Sequence, residues 1–138
     1  MICRRYSGLL TAAVLLGAAW PGAPACAQVR TDKPETVMVT LRAKPGAEAD
    51  LGRVLERHWA TARSLNLVRQ TPHLTLRGTE DGDKTYFVEI FTWRDAAIPD
   101  AAPPAIQAIW AEMNRLVEPR GGKPGLDFTA VSVLPGPR

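Results

Sequence analysis

The stretch HLTLRGTEDGDKTYFVEIFTW, residues His73–Trp93, decides the fold. In its first part, His73–Thr79, Leu74 and Leu76 alternate with His73, Thr75 and Arg77, the period-two pattern of a strand. Glu80–Asp83 is a tight acidic turn carrying Asp81-Gly82, a dipeptide suited to hairpin turns. Thr85–Trp93 reads as a second strand, apolar on both sides except at Glu89. A strand of that kind calls for cover on both faces of its sheet.

Working outward from the hairpin, each side repeats one strand and one helix. On the N-terminal side, LGRVLERHWATARSL places Leu51, Val54, Leu55, Trp59, Ala62 and Leu65 at helical spacing. This helix runs from about Ala47 to Leu65, after a Lys44-Pro45-Gly46 stop. Thr36–Ala43 precedes it as a strand with Val37, Val39 and Leu41 on one side. On the C-terminal side, Pro99, Pro103 and Pro104 break the chain, and Pro104 suits the first turn of a helix reaching Val117. Ile106, Ile109, Trp110, Met113, Leu116 and Val117 form its apolar face, with Gln107, Glu112, Asn114 and Arg115 pointing away. Asp127–Leu134 is the last strand.

The order β-α-β-β-α-β defines an α+β, ferredoxin-like fold: a four-stranded antiparallel sheet with both helices on one face. The opposite sheet face is bare in a monomer, and Thr36, Met38, Thr40, Phe87 and Phe91 are expected to supply part of it. Such a face predicts self-association. The domain spans residues 36–134, after a polar lead-in at 28–35 and before a tail at 135–138.

Residues 1–27 read as a secretory signal peptide. Arg4 and Arg5 precede an apolar run from Leu9 to Trp20, too short for a comfortable membrane span, and Ala25-Cys26-Ala27 offers the cleavage site. An exported protein, periplasmic or secreted, is the expectation, with no membrane association after cleavage. Removing the leader from the 138 residues leaves 111, enough for one core. Both cysteines, Cys3 and Cys26, go with it, which excludes a disulfide framework and thiolate chemistry in the remainder. The leader takes two of the 17 basic residues and none of the 14 acidic ones, so the net charge falls to about +1. No basic run or aromatic-basic interleaving points to nucleic acid.

Taken together, VMVTLRAKPGAEADL and YFVEIFTWRD make residues 36–134 resemble the antibiotic-biosynthesis-monooxygenase-like group of dimeric α+β barrel proteins. Glu89 and Trp93 match the E-x-x-x-W/Y-x-D ending of the third strand in many members. The tail GKPGLDF, Gly122–Phe128, resembles an exported subgroup. The resemblance implies a homodimer whose sheets meet face to face, and a pocket in each protomer between sheet and helices. Relatives oxidise polycyclic phenols without metal or flavin, open haem, isomerise small carbonyl compounds, or have no known activity; fold alone does not choose among these. Many members carry a histidine in the second helix, and this chain has none there. Haem-degrading relatives add an asparagine, and the first strand has none.

His58 is the leading catalytic candidate, because it falls on the helix face that meets the sheet. Imidazole as a class accepts and returns protons near neutral pH; the alternative is a core histidine satisfied by a hydrogen bond. Glu89 is its natural partner, since a buried carboxylate needs a donor. Two placements stay open for it: inward beside His58, or outward against Arg42 or Arg77. His73 is a further candidate to line the site, although two isolated histidines have no metal-ligand spacing. Trp59, Tyr86, Trp93, Trp110 and Met113 are candidate walls, with Trp93 and Trp110 placed to sandwich a planar ligand. The ligand expected is a small, partly aromatic organic molecule, held without a bound cofactor.

Overall fold

The computed structural model describes residues 33–135; the signal-peptide segment, most of the lead-in and the last three residues lie outside them. The elements are β1 (Glu35–Arg42), α1 (Glu48–Ser64), β2 (Val68–Glu80), β3 (Lys84–Trp93), a single 3-10 turn (Pro99–Ala101), α2 (Pro104–Leu116) and β4 (Leu126–Ala130). The four strands form one antiparallel sheet in the order β2-β3-β1-β4. The βαββαβ, ferredoxin-like α+β plan is therefore present.

Local chemistry explains where the elements start and stop. Gly46, at φ +81°, turns the chain out of β1 in a left-handed conformation that costs glycine little. Glu48 and Asp50 then place negative charge at the positive end of α1, and Arg63 sits at its other end. Pro104 opens α2, where its missing N–H costs nothing. Between β2 and β3, Asp81, Gly82 and Asp83 all take positive φ, as a tight hairpin requires.

Register decides which side chains meet. Val37 faces Phe91, Val39 faces Glu89, and Leu41 faces Phe87 across β1 and β3. These residues point towards the helices. Leu51, Val54 and Leu55 of α1 join Leu41, Phe87, Ile109 and Met113 in one core cluster. Ala62, Val37, Phe91, Trp93 and Ile106 form a second. Burying the valine, leucine, isoleucine, phenylalanine and methionine side chains among these contributes roughly 1.5–3 kcal/mol each relative to leaving them exposed.

The opposite face carries Thr36, Met38 and Thr40 beside Thr92, Ile90 and Val88, with Leu74 and Leu76 on β2. Leu74 and Leu76 are 51% and 54% exposed. Phe87 and Phe91 do not belong to this face, contrary to expectation. They share parity with Glu89 and Trp93 and are buried beneath the helices.

Two boundaries also differ from expectation. β2 begins at Val68, before Pro72, because Val68 pairs with Trp93 before the register breaks and resumes at His73. β4 ends at Ala130; Val131 still donates its N–H to the Thr36 carbonyl at 2.9 Å, and 132–134 form no strand. At the far end of the sheet, Arg120 is buried and donates to the carbonyls of Ala43 (2.6 Å) and Thr85 (3.3 Å). Glu80 lies between Arg42 (3.1 Å) and Arg120 (3.5 Å), fastening the loop before β4 to the hairpin. Among the described residues, no helix is long and apolar enough to cross a membrane, which says nothing of β-barrels.

Candidate functional site

Glu89 is 1% exposed in the middle of β3, on the helix side. Its two carboxylate oxygens face two different imidazoles. Oε2 lies 3.4 Å from Nδ1 of His58, and Oε1 lies 3.3 Å from Nε2 of His73. His58 reaches it from α1, seven residues after the buried Leu51 and thus on the same face. His73 reaches it from β2, whose Thr75 is the register partner of Glu89. The inward placement of Glu89 is the one observed. Arg42 pairs instead with Glu80, and Arg77 donates to Thr85 Oγ1 at 3.4 Å.

Two tryptophans hold the imidazoles. Trp59, the neighbour of His58 on α1, stacks flat on His73, with ring centroids 3.6 Å apart and planes 4° apart. Trp110 of α2 donates its indole N–H to Nε2 of His58 at 3.2 Å. Indole is a donor only, so Nε2 must carry a lone pair and the His58 proton belongs on Nδ1. That nitrogen is buried and points towards Oε2 of Glu89 without hydrogen-bonding geometry. An imidazolium at His58 would set two N–H donors against each other. Protonation of Nε2 and the Trp110 hydrogen bond therefore exclude one another.

A cavity of about 340 Å³ opens beside this group, between the sheet and α2. His58, Glu89, Trp93, Trp110 and Met113 line it. Val37, Val39 and Phe91 form the sheet wall, and Leu126 and Phe128 continue it onto β4. Glu35, Asp100 and Asn114 supply the remaining polar side chains, with Pro99 beside them.

Three expected wall residues lie elsewhere. Tyr86 has the opposite parity on β3, and its ring covers Gly78 on the bare face. His73 stands behind Glu89 and is 23% exposed at its side chain. Trp59 is committed to its stack on His73. Nor do Trp93 and Trp110 form a sandwich: they meet edge to face, with planes 83° apart and centroids separated by 6.2 Å. Asn114, expected to point away, lines the cavity, because it lies one turn beyond Trp110 on the same side of α2. Nothing in the sequence pattern singles out Glu35 and Asp100: one begins a strand and the other sits in a single 3-10 turn, where periodicity gives no facing signal. Among the described residues, no group of three or more His, Cys, Asp and Glu is arranged to hold a metal ion.

The fold is that of the antibiotic-biosynthesis-monooxygenase-like, ferredoxin-like α+β proteins. Rv0793 from Mycobacterium tuberculosis superimposes with a TM-score of 0.55 at 17% identity, over 75% of this chain and 98% of that one. A variant of SnoaB, a cofactor-independent oxygenase from Streptomyces nogalater, gives 0.55 at 20% identity, over 75% and 95%. A structure named as an antibiotic biosynthesis monooxygenase gives 0.53 at 16% identity, over 73% and 99%. No family model matches the chain, and no curated protein matches it. Identities this low establish the fold; the chemistry has to be argued from the site.

Proposed function

We propose that this chain is an exported, homodimeric protein that binds a small, partly aromatic molecule in the 340 Å³ cavity and removes a proton from it at His58. The observation that carries this reading is the cavity-lining His58, with Glu89 at Nδ1 and only a neutral indole N–H on Nε2. A ligand hydroxyl that displaces Trp110 from Nε2 meets a proton acceptor, and Glu89 stabilises the imidazolium that forms. For a hydroxyarene, the deprotonated ring is itself the reductant of dioxygen. One oxygen atom enters the ring as a carbonyl, the other leaves as water, and the product is a quinone. The fold shared with a cofactor-independent oxygenase supports this direction. Dimerisation is supported by the exposed Leu74 and Leu76 on a sheet face without helices, and export by the order of residues 1–27.

A second reading, a binding protein without turnover, is favoured by the fact that Nε2 of His58 is already occupied. One experiment separates the two. Oxygen uptake is measured with dihydroxynaphthalenes, alongside their affinity, for the parent protein and His58→Gln. The enzyme reading expects uptake by the parent, lost in the variant, with affinity within about threefold. Equal uptake by the variant rejects His58 as the base, and binding without uptake in the parent selects the second reading.

A further inference from the structure

The charges around the cavity are all of one sign. Among the described residues, Glu35, Glu89 and Asp100 line it, and no lysine or arginine does. Its remaining surface is rich in aromatic rings, from Phe91, Trp93, Trp110 and Phe128. Aromatic faces attract cations through their ring quadrupoles, most strongly where water is displaced. Carboxylates in a partly enclosed space add attraction of the same sign, and repel an anion equally. His58 offsets none of this while neutral.

From these features we infer that the cavity selects a cationic aryl-alkylamine, with the ammonium at the Glu35–Asp100 end and the ring system against Trp93 and Trp110. This rests on the cavity being the ligand site proposed above. The register gives the ligand its length. Glu89 is opposite Val39, and Glu35 lies four residues earlier on β1, which at about 3.3 Å per residue separates them by roughly 13 Å. A fused two-ring aromatic with a two-carbon chain to its nitrogen fits that span. Its ammonium meets the outer carboxylates while its ring edge stays near His58. The outer pair therefore sets which molecule enters, while the inner pair acts on it.

Isothermal titration of the purified protein with three probes of one shape tests this: naphthylethylamine, naphthylethanol and naphthylacetate. The amine is expected to bind about tenfold or more tightly than the carboxylate, with the alcohol between them. Glu35→Gln combined with Asp100→Asn should cut the preference at least threefold, Glu89 and the rings supplying the rest, while leaving the alcohol's affinity within about twofold. Both positions are at least partly exposed, so the pair of substitutions should leave the core intact. Equal or tighter binding of the carboxylate, or a preference undiminished by the double substitution, overturns the inference while leaving the cavity reading intact. If none of the three probes binds, the cavity reading itself fails, and this inference with it.

Discussion

The Trp110–His58 hydrogen bond makes the sharpest stability prediction, because it joins two elements and fixes a tautomer. Trp110→Phe keeps an aromatic ring but removes the indole N–H. Nε2 of His58, on a side chain 4% exposed, then loses its donor. Leaving a buried acceptor unsatisfied costs about 1–3 kcal/mol, and the smaller ring on this half-buried position adds under about 1 kcal/mol of lost packing. The single substitution should therefore cost about 1–4 kcal/mol. A double-mutant cycle with His58→Leu separates the hydrogen bond from the packing. The coupling term should be about 1 kcal/mol, read as the difference between urea midpoints multiplied by a shared slope. A coupling below about 0.3 kcal/mol would refute the bond as a stabilising contact. The tautomer offers an independent check: a proton–nitrogen correlation spectrum of the parent should show His58 protonated at Nδ1. A proton at Nε2 instead would remove the basis of the assignment.

Other predictions test the surroundings. Glu89→Ala removes the carboxylate between two imidazoles and leaves a void, so thermal unfolding should report a loss of about 2–4 kcal/mol; a neutral result would mean the three groups do not interact. Gly125→Ala should destabilise more than Gly78→Ala. A methyl at 125 lands 2.7–2.9 Å from the backbone of Glu118, whereas at 78 it meets the movable ring of Tyr86 at 2.5 Å; the reverse order of urea midpoints contradicts that geometry. Leu74→Asp with Leu76→Asp should shift the mass in sedimentation equilibrium from dimer to monomer. A parent protein that is monomeric at micromolar concentration sinks the dimeric reading.

The order of elements was legible because each helix had a three-to-four-residue apolar stripe, and the hairpin had its own turn chemistry. His58 was legible for the same reason: it interrupts an otherwise apolar helix face. What could not be read was the facing of β3. In TYFVEIFTW both parities are apolar, so alternation has no contrast until β1 supplies the register. Parity alone does tie Phe87, Glu89, Phe91 and Trp93 to one side. Placing Glu89 inward therefore already forbids those two phenylalanines on the bare face. His73 was harder to place. Its role behind Glu89 depends on β2 resuming its register after an irregular start at Val68, and no local pattern announces that. Glu35 and Asp100 enter the cavity through tertiary closure alone.

β4 has a consequence of its own. It is a five-residue edge strand, bonded to β1 alone, and it carries Leu126 and Phe128 of the cavity wall. Phe128 is 71% exposed. Short edges detach at a fraction of the free energy needed to open a sheet centre. The wall on that side is therefore expected to open by fraying of β4. Amide exchange reads this directly: β4 should exchange well before β3, and a bound ligand should slow β4 more than any other strand. The entrance would then be set by how firmly the last strand is zipped to the first, so mutations far from His58 can tune access without touching the chemistry.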